Sequence, residues 1–108
     1  MKLLTKEIER KFEKFPFYSQ DGKGKGSDVI AKFFNPCGSQ TWLVTEAEKQ
    51  DDGDWHLYGW YEDGNGGEWA YFSLRELQSI KTWVGLGIER DIYIGNGNKV
   101  KDLARYWK

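Results

Sequence analysis

Trp55-His56-Leu57-Tyr58-Gly59-Trp60-Tyr61, Asp63-Gly64-Asn65-Gly66-Gly67 and Glu68-Trp69-Ala70-Tyr71-Phe72 follow one another in mid-chain. Two short aromatic-rich runs joined by Gly/Asn turn chemistry read as successive strands. Upstream, Asp51-Asp52-Gly53-Asp54 is a second turn signal, and Thr41-Trp42-Leu43-Val44-Thr45 before it reads as another strand. Val29 to Phe34, closed by Asn35-Pro36, reads as the first. Turn-linked strands in this order predict an antiparallel meander. The pattern leaves the register open, because the aromatics of 55–61 occupy both alternating sets.

Working outward, Leu4, Ile8, Phe12 and Phe15 recur on one face of a helix over 5–14, with Thr5 as N-cap and Pro16 as terminator. Gly22-Lys23-Gly24-Lys25-Gly26 reads as a flexible loop. Ser73-Leu74-Arg75-Glu76 has the spacing of a capping box, and Leu74, Leu77, Ile80 and Val84 continue as an apolar stripe, which predicts a helix over 74–82. Ile88, Arg90, Ile92 and Ile94 alternate with Glu89, Asp91 and Tyr93, the pattern of a half-exposed strand. After a turn at 95–98, Val100, Leu103 and Trp107 line a short final helix. The fold class expected is α+β, an antiparallel sheet of about five strands with two to three short helices packed on it, as one domain over 1–108.

A chain of 108 residues builds a single core, and six each of Trp, Tyr and Phe change how that core is filled. Each ring buries about 150–250 Å², and the polar tips of Tyr and Trp place some rings at the core edge or on a binding face. No run approaches the roughly 20 apolar residues of a membrane span, and the N-terminus turns charged too early for a secretory signal. The lone Cys37 allows no internal disulfide and fits a reducing compartment, so a cytoplasmic location is expected.

The net charge of −1 is segregated. Residues 1–33 hold eight Lys/Arg against five Asp/Glu, residues 46–68 hold eight acids against Lys49, and residues 69–108 hold seven bases against four acids. The acidic middle is open to two readings: a solvated hairpin region, or an electrostatic docking surface for something basic.

Candidate chemistry is sparse. Cys37 and His56 could pair as nucleophile and base, but no third orienting residue stands at a recognisable spacing, and a zinc site needs more N/S ligands than these two. Asp51, Asp52, Asp54, Glu62 and Asp63 could approach a divalent cation, yet they lack the EF-hand spacing. No cofactor and no metal are expected. The Gly22–Gly26 stretch lacks the Walker ending and the strand-to-helix setting of a phosphate cradle. Trp42, Trp55, Trp60 and Trp69, and the tail Arg105-Tyr106-Trp107-Lys108, could stack on single strands, but the aromatic-dense middle is also the acidic one.

Met1-Lys2-Leu3-Leu4-Thr5-Lys6-Glu7-Ile8, Lys32-Phe33-Phe34-Asn35-Pro36, Thr41–Glu46, Tyr71–Leu77 and Gly87–Asp91 stand in matching order in a small family, DUF2958, which this chain resembles across positions 1–94. Residues 47–70 and the last dozen match least. The resemblance implies a domain of unknown function found in bacteria, phages, plasmids and other mobile elements, with no family-wide catalytic residues to transfer. Small proteins in that company often counter restriction or CRISPR defence. The leading expectation is therefore a non-enzymatic module that docks on a host protein, such as a nucleic-acid-binding defence complex. Its contact surface is expected to be an acidic, aromatic-rich hairpin region comprising Asp51, Asp52, Asp54, Trp55, Trp60, Glu62 and Asp63. The alternatives are nucleic-acid binding through the basic flanks, which the acidic middle disfavours, an unfamiliar small enzyme, or an accessory module that only presents loops. An exposed edge strand would also support a homodimer, and no membrane partner is expected. The docking reading needs the mid-chain carboxylates to face solvent as one field.

Overall fold

The computed structural model describes residues 2–82, 85–94 and 97–105. Helix α1 spans Lys6–Lys14, and the Thr5 hydroxyl caps it by accepting the Ile8 N–H at 3.2 Å. Glu7 and Glu9 lie in its first turn, Lys11 and Lys14 in its last, each sign at the helix end that favours it. Ile8 and Phe12 are its buried side chains.

Four strands follow as a meander: β1 (Ala31–Phe34), β2 (Thr41–Lys49), β3 (Trp55–Asp63) and β4 (Gly66–Ser73). Helix α2 (Leu74–Ser79) leads to a two-residue strand β5 (Glu89–Arg90), and α3 (Val100–Leu103) closes the described chain. The sheet order is β4-β3-β2-β1-β5, and every pairing is antiparallel. The β3–β4 hairpin is tight: Asp63 pairs with Gly66, leaving Gly64-Asn65 as the loop.

The register is settled by a bulge in β2. Val44 pairs with Gly59 but Glu46 with Tyr58, so Thr45 is the extra residue. Its hydroxyl donates to the Tyr58 carbonyl at 3.1 Å. Leu43 packs with Trp60 on one side of the sheet, while Trp42, Val44 and Ala47 pack with Trp55 and Leu57 on the other. The aromatics of β3 therefore divide between two faces.

The first face carries α1, α2 and the main core, including Phe12, Phe33, Trp42, Val44, Leu57, Leu74 and Leu77. Phe12 meets Trp55 edge-on at 5.3 Å between centroids. The second face has a smaller core of Val29, Leu43, Trp60 and Val100, with Leu103, Ala104 and Trp69 packed against it.

Several boundaries differ from the sequence expectation. Strand β2 runs on to Lys49, because the bulge interrupts the apolar alternation while pairing to β3 continues as far as Trp55. Helix α2 stops at Ser79, and Ile80 turns extended to pack against the core. The strand expected over 88–94 is only Glu89–Arg90, paired with Phe33 and Phe34 of the short β1. Asp91 then accepts the Tyr93 N–H in a turn, and Ile92 is 58% exposed. The Gly22–Gly26 loop contains a 3-10 turn over Gly24–Gly26. Val84 and Trp107, expected on helical stripes, lie outside the described residues.

Candidate functional site

The seven residues expected to form one docking surface are divided by the meander. Asp51, Asp52 and Asp54 precede β3, and Glu62 and Asp63 end it, so the two groups stand about 27 Å apart along a nine-residue strand. Trp55 is 4% and Trp60 6% exposed, on opposite faces. They are core residues and cannot serve as surface anchors. Among the described residues the buried Trp55 Nε1 has no hydrogen-bond partner.

Most of the carboxylates are engaged within the fold. Glu62 is wholly buried: it accepts the Trp60 Nε1–H at 2.9 Å and the Arg105 backbone N–H at 2.9 and 3.1 Å, with the Arg105 guanidinium at 3.5 Å. Glu46, 5% exposed, accepts the backbone N–H groups of Tyr18 and Gln20, both at 2.9 Å. Asp63 takes the Tyr61 hydroxyl at 2.9 Å and the Asn65 N–H at 2.8 Å. Asp52 pairs with Arg75 at 3.1 Å. Of the expected set, only Asp51 and Asp52 have exposed side chains, so the solvent-facing field that the docking reading required is dispersed.

Asp54 ties the β2–β3 turn to α2. Its carboxylate accepts from the Ser73 hydroxyl, the Trp55 N–H at 2.8 Å and the Arg75 N–H at 3.0 Å. Ser73 in turn caps Glu76 N–H, as the sequence pattern predicts. Burial pushes the Asp54 carboxyl up, but the Ser73, Arg75 and Trp55 hydrogen bonds and the Arg75 charge outweigh it and hold it below the ordinary value of 3.8. A depressed carboxyl contributes stability above its unfolded-state pKa and loses it as pH falls through the folded value. Asp54→Ala is expected to lower stability by about 1–2 kcal/mol at neutral pH. Urea denaturation should show this deficit shrinking below about pH 4; a deficit independent of pH would contradict the capping role.

The surface that the structure does assemble lies on the second face. Trp60 and Trp69 meet edge-on at 5.5 Å, Trp69 stacks on Tyr58 at 5.8 Å and 11°, and Tyr58 meets Tyr71 at 4.7 Å. Phe17 extends the row, at 5.6 Å from Tyr71 and 6.4 Å from Tyr18. Six rings thus form one strip, buried at Trp60 and open at the far end, where Tyr71 is 64% and Tyr18 68% exposed. Tyr58 and Tyr71 are cross-strand partners, as are Trp60 and Trp69, so two positions per strand place four rings on one face.

Phe17 and Tyr18 come from a different part of the chain, and Glu46 fixes them there. Tyr18 has φ +72°, a left-handed conformation unusual for a bulky residue. The Glu46 carboxylate, accepting the amides of Tyr18 and Gln20, holds that turn against the sheet. Gln20 adds bonds from its Nε2 to the carbonyls of Thr45, in the bulge, and Asp28. Strained backbone held this firmly is characteristic of positions whose side-chain placement matters.

The charge beside the strip is negative. The Tyr58 hydroxyl is pushed above its ordinary value of 10.0 by burial and then by Tyr71, Glu46 and Asp21. Glu48, exposed, lies on the same face opposite His56. Sequence reasoning missed Tyr58, Tyr71, Phe17 and Tyr18. The first two are cross-strand partners within the β3–β4 hairpin; the second two depend on a tertiary contact through Glu46.

His56 pairs with Glu48 near the end of β2, whereas Cys37 lies in the turn before Thr41, at its start. A nucleophile and its base cannot meet across that strand. Among the described residues no three His, Cys, Asp or Glu side chains group as a metal site requires, and no helix is long and apolar enough to cross a membrane.

A family model described as a protein of unknown function (DUF2958) matches residues 3–107. No curated protein and no solved structure matches the chain.

Proposed function

Since the chain belongs to the DUF2958 family, whose description assigns no activity, we propose from its own surface that it is a non-enzymatic protein-binding module. Its contact surface is the aromatic strip of Tyr58, Trp69, Tyr71, Phe17 and Tyr18, and the partner segment it receives carries arginine or lysine. The observation behind this reading is the exposure of Tyr18 and Tyr71 at the end of a fixed row of rings. Aromatic side chains on a rigid element bury large area with little ordering cost, which is why they dominate interface hot spots. The exposed Asp21 and Glu48 set the sign of the partner. A guanidinium or ammonium over a tyrosine face is attracted by the ring and by those carboxylates, whereas phosphates are repelled. A host defence protein is the first partner to test, a choice that rests on the mobile-element setting implied by the family resemblance.

Titration of the isotope-labelled protein with a short arginine-rich peptide, followed by NMR, tests the surface. Saturable shifts at Tyr18, Tyr58, Trp69 and Tyr71, absent with a glutamate-rich peptide of equal length, are expected. Shifts confined to residues 51–54 would return the site to the acidic turn, and none at all would remove the cationic partner.

A further inference from the structure

Beside the β1–β5 edge of the sheet, α1 forms one wall of a groove whose other wall is the chain around Asp28–Lys32 and the segment after β5. Two contiguous cavities of about 450 and 430 Å³ make up this groove, sharing Glu7, Lys11 and Ile30. Phe15, half-buried, and Ile92, 58% exposed, give it accessible apolar surface, above the buried Val29 and Ile30. Its two acids on the sheet side are already matched: Asp28 pairs with Lys99, and Asp91 with Lys32 at 3.4 Å. On the helix side, Glu7 stands one turn before Lys11 on the same helical face, so these two charges offset one another.

That leaves Lys6, Arg10 and Lys14. All three are exposed, all three line the groove, and none is ion-paired with a described residue. They sit at i, i+4 and i+8, hence about 6 Å apart along the helix axis. Cations repeated at that interval match the spacing of successive phosphates along an extended strand, and the accessible apolar surface suits unpaired bases. We propose that this groove binds single-stranded nucleic acid, with one phosphate on each of Lys6, Arg10 and Lys14 and the bases turned toward Phe15 and Ile92. A duplex keeps its bases stacked inside and would leave that surface unused. The groove shares no lining residue with the aromatic strip, and it stands or falls independently of it.

Fluorescence anisotropy with labelled hexathymidylate is the test. Three neutralised phosphates give a slope of log affinity against log salt of about −2, so affinity should fall roughly fifteen-fold between about 50 and 200 mM salt. The variant K6Q/R10Q/K14Q should lose tenfold or more of the low-salt affinity and most of the slope, with unchanged circular dichroism, while K23Q/K25Q should bind like the wild type. Absence of binding at low salt would overturn the proposal. So would a triple variant that binds normally, a duplex that competes as well as the single strand, or binding that is lost in Y18A/Y71A and retained in K6Q/R10Q/K14Q.

Discussion

Gly59→Ala is expected to destabilise the protein by about 3 kcal/mol or more, a large share of the stability of a domain of this size. A Cβ on Gly59 would lie 1.9 Å from the Leu43 carbonyl oxygen and 2.9 Å from its carbon. Both atoms are backbone in the neighbouring strand, so no rotamer change relieves the clash. The close approach comes from the bulge, since Gly59 pairs with Val44 at the point where the β2 register shifts. The strain would have to be relieved by moving β2 and β3 apart beneath the main core. Gly26→Ala is the matching control, because nothing lies within 4 Å of its Cβ and its φ is not left-handed. Thermal denaturation should place the two at least about 12 °C apart. Equal midpoints would mean that the bulge register is wrong.

The second large effect is expected at Glu62. Replacing it with Ala leaves the Trp60 indole N–H and the Arg105 backbone N–H without their acceptor and opens a void at a fully buried position. Each buried donor left unpaired costs about 1–3 kcal/mol, and the cavity adds to that, so a loss of about 3–4 kcal/mol is expected. Glu62→Gln keeps one acceptor oxygen and should lose about half as much. Because Glu62 also anchors the chain just after α3, Glu62→Ala should loosen the cover over Trp60. A red shift in tryptophan emission at temperatures where the protein is still folded would report it. An alanine variant as stable as the wild type would show that this carboxylate is not a structural acceptor.

The meander, both N-caps and the first helix were legible because each depends on neighbours in sequence: Thr5 and Ile8, Ser73 and Glu76, the Gly/Asn turn within 63–67, which the structure narrows to 64–65. The register was not legible. Aromatics at 55, 58, 60 and 61 satisfy either alternation, and the bulge at Thr45 chose between them through contacts of Gln20 and Tyr58 with that residue. The acidic block misled for a related reason. Counting charge along the chain treats carboxylates as equivalent, but Glu46 and Glu62 are acceptors for backbone amides 26 to 43 positions away. Burial of a carboxylate is tolerated where donors surround it, and those donors arrive only with the tertiary fold. The aromatic strip was half visible: the hairpin supplies Tyr58 and Tyr71, while Phe17 and Tyr18 are brought by a loop whose position no local pattern announces.

The central claim is that exposed rings, and not the acidic turn, make contact with a partner. The most direct measurement is the affinity of a partner captured with the wild-type protein for two variants, Y18A/Y71A and D51N/D52N. Loss of about 2 kcal/mol or more, roughly thirtyfold in Kd, in the tyrosine variant with less than a twofold change in the aspartate variant is the result expected here. Undiminished binding by Y18A/Y71A, with binding abolished in D51N/D52N, would contradict it.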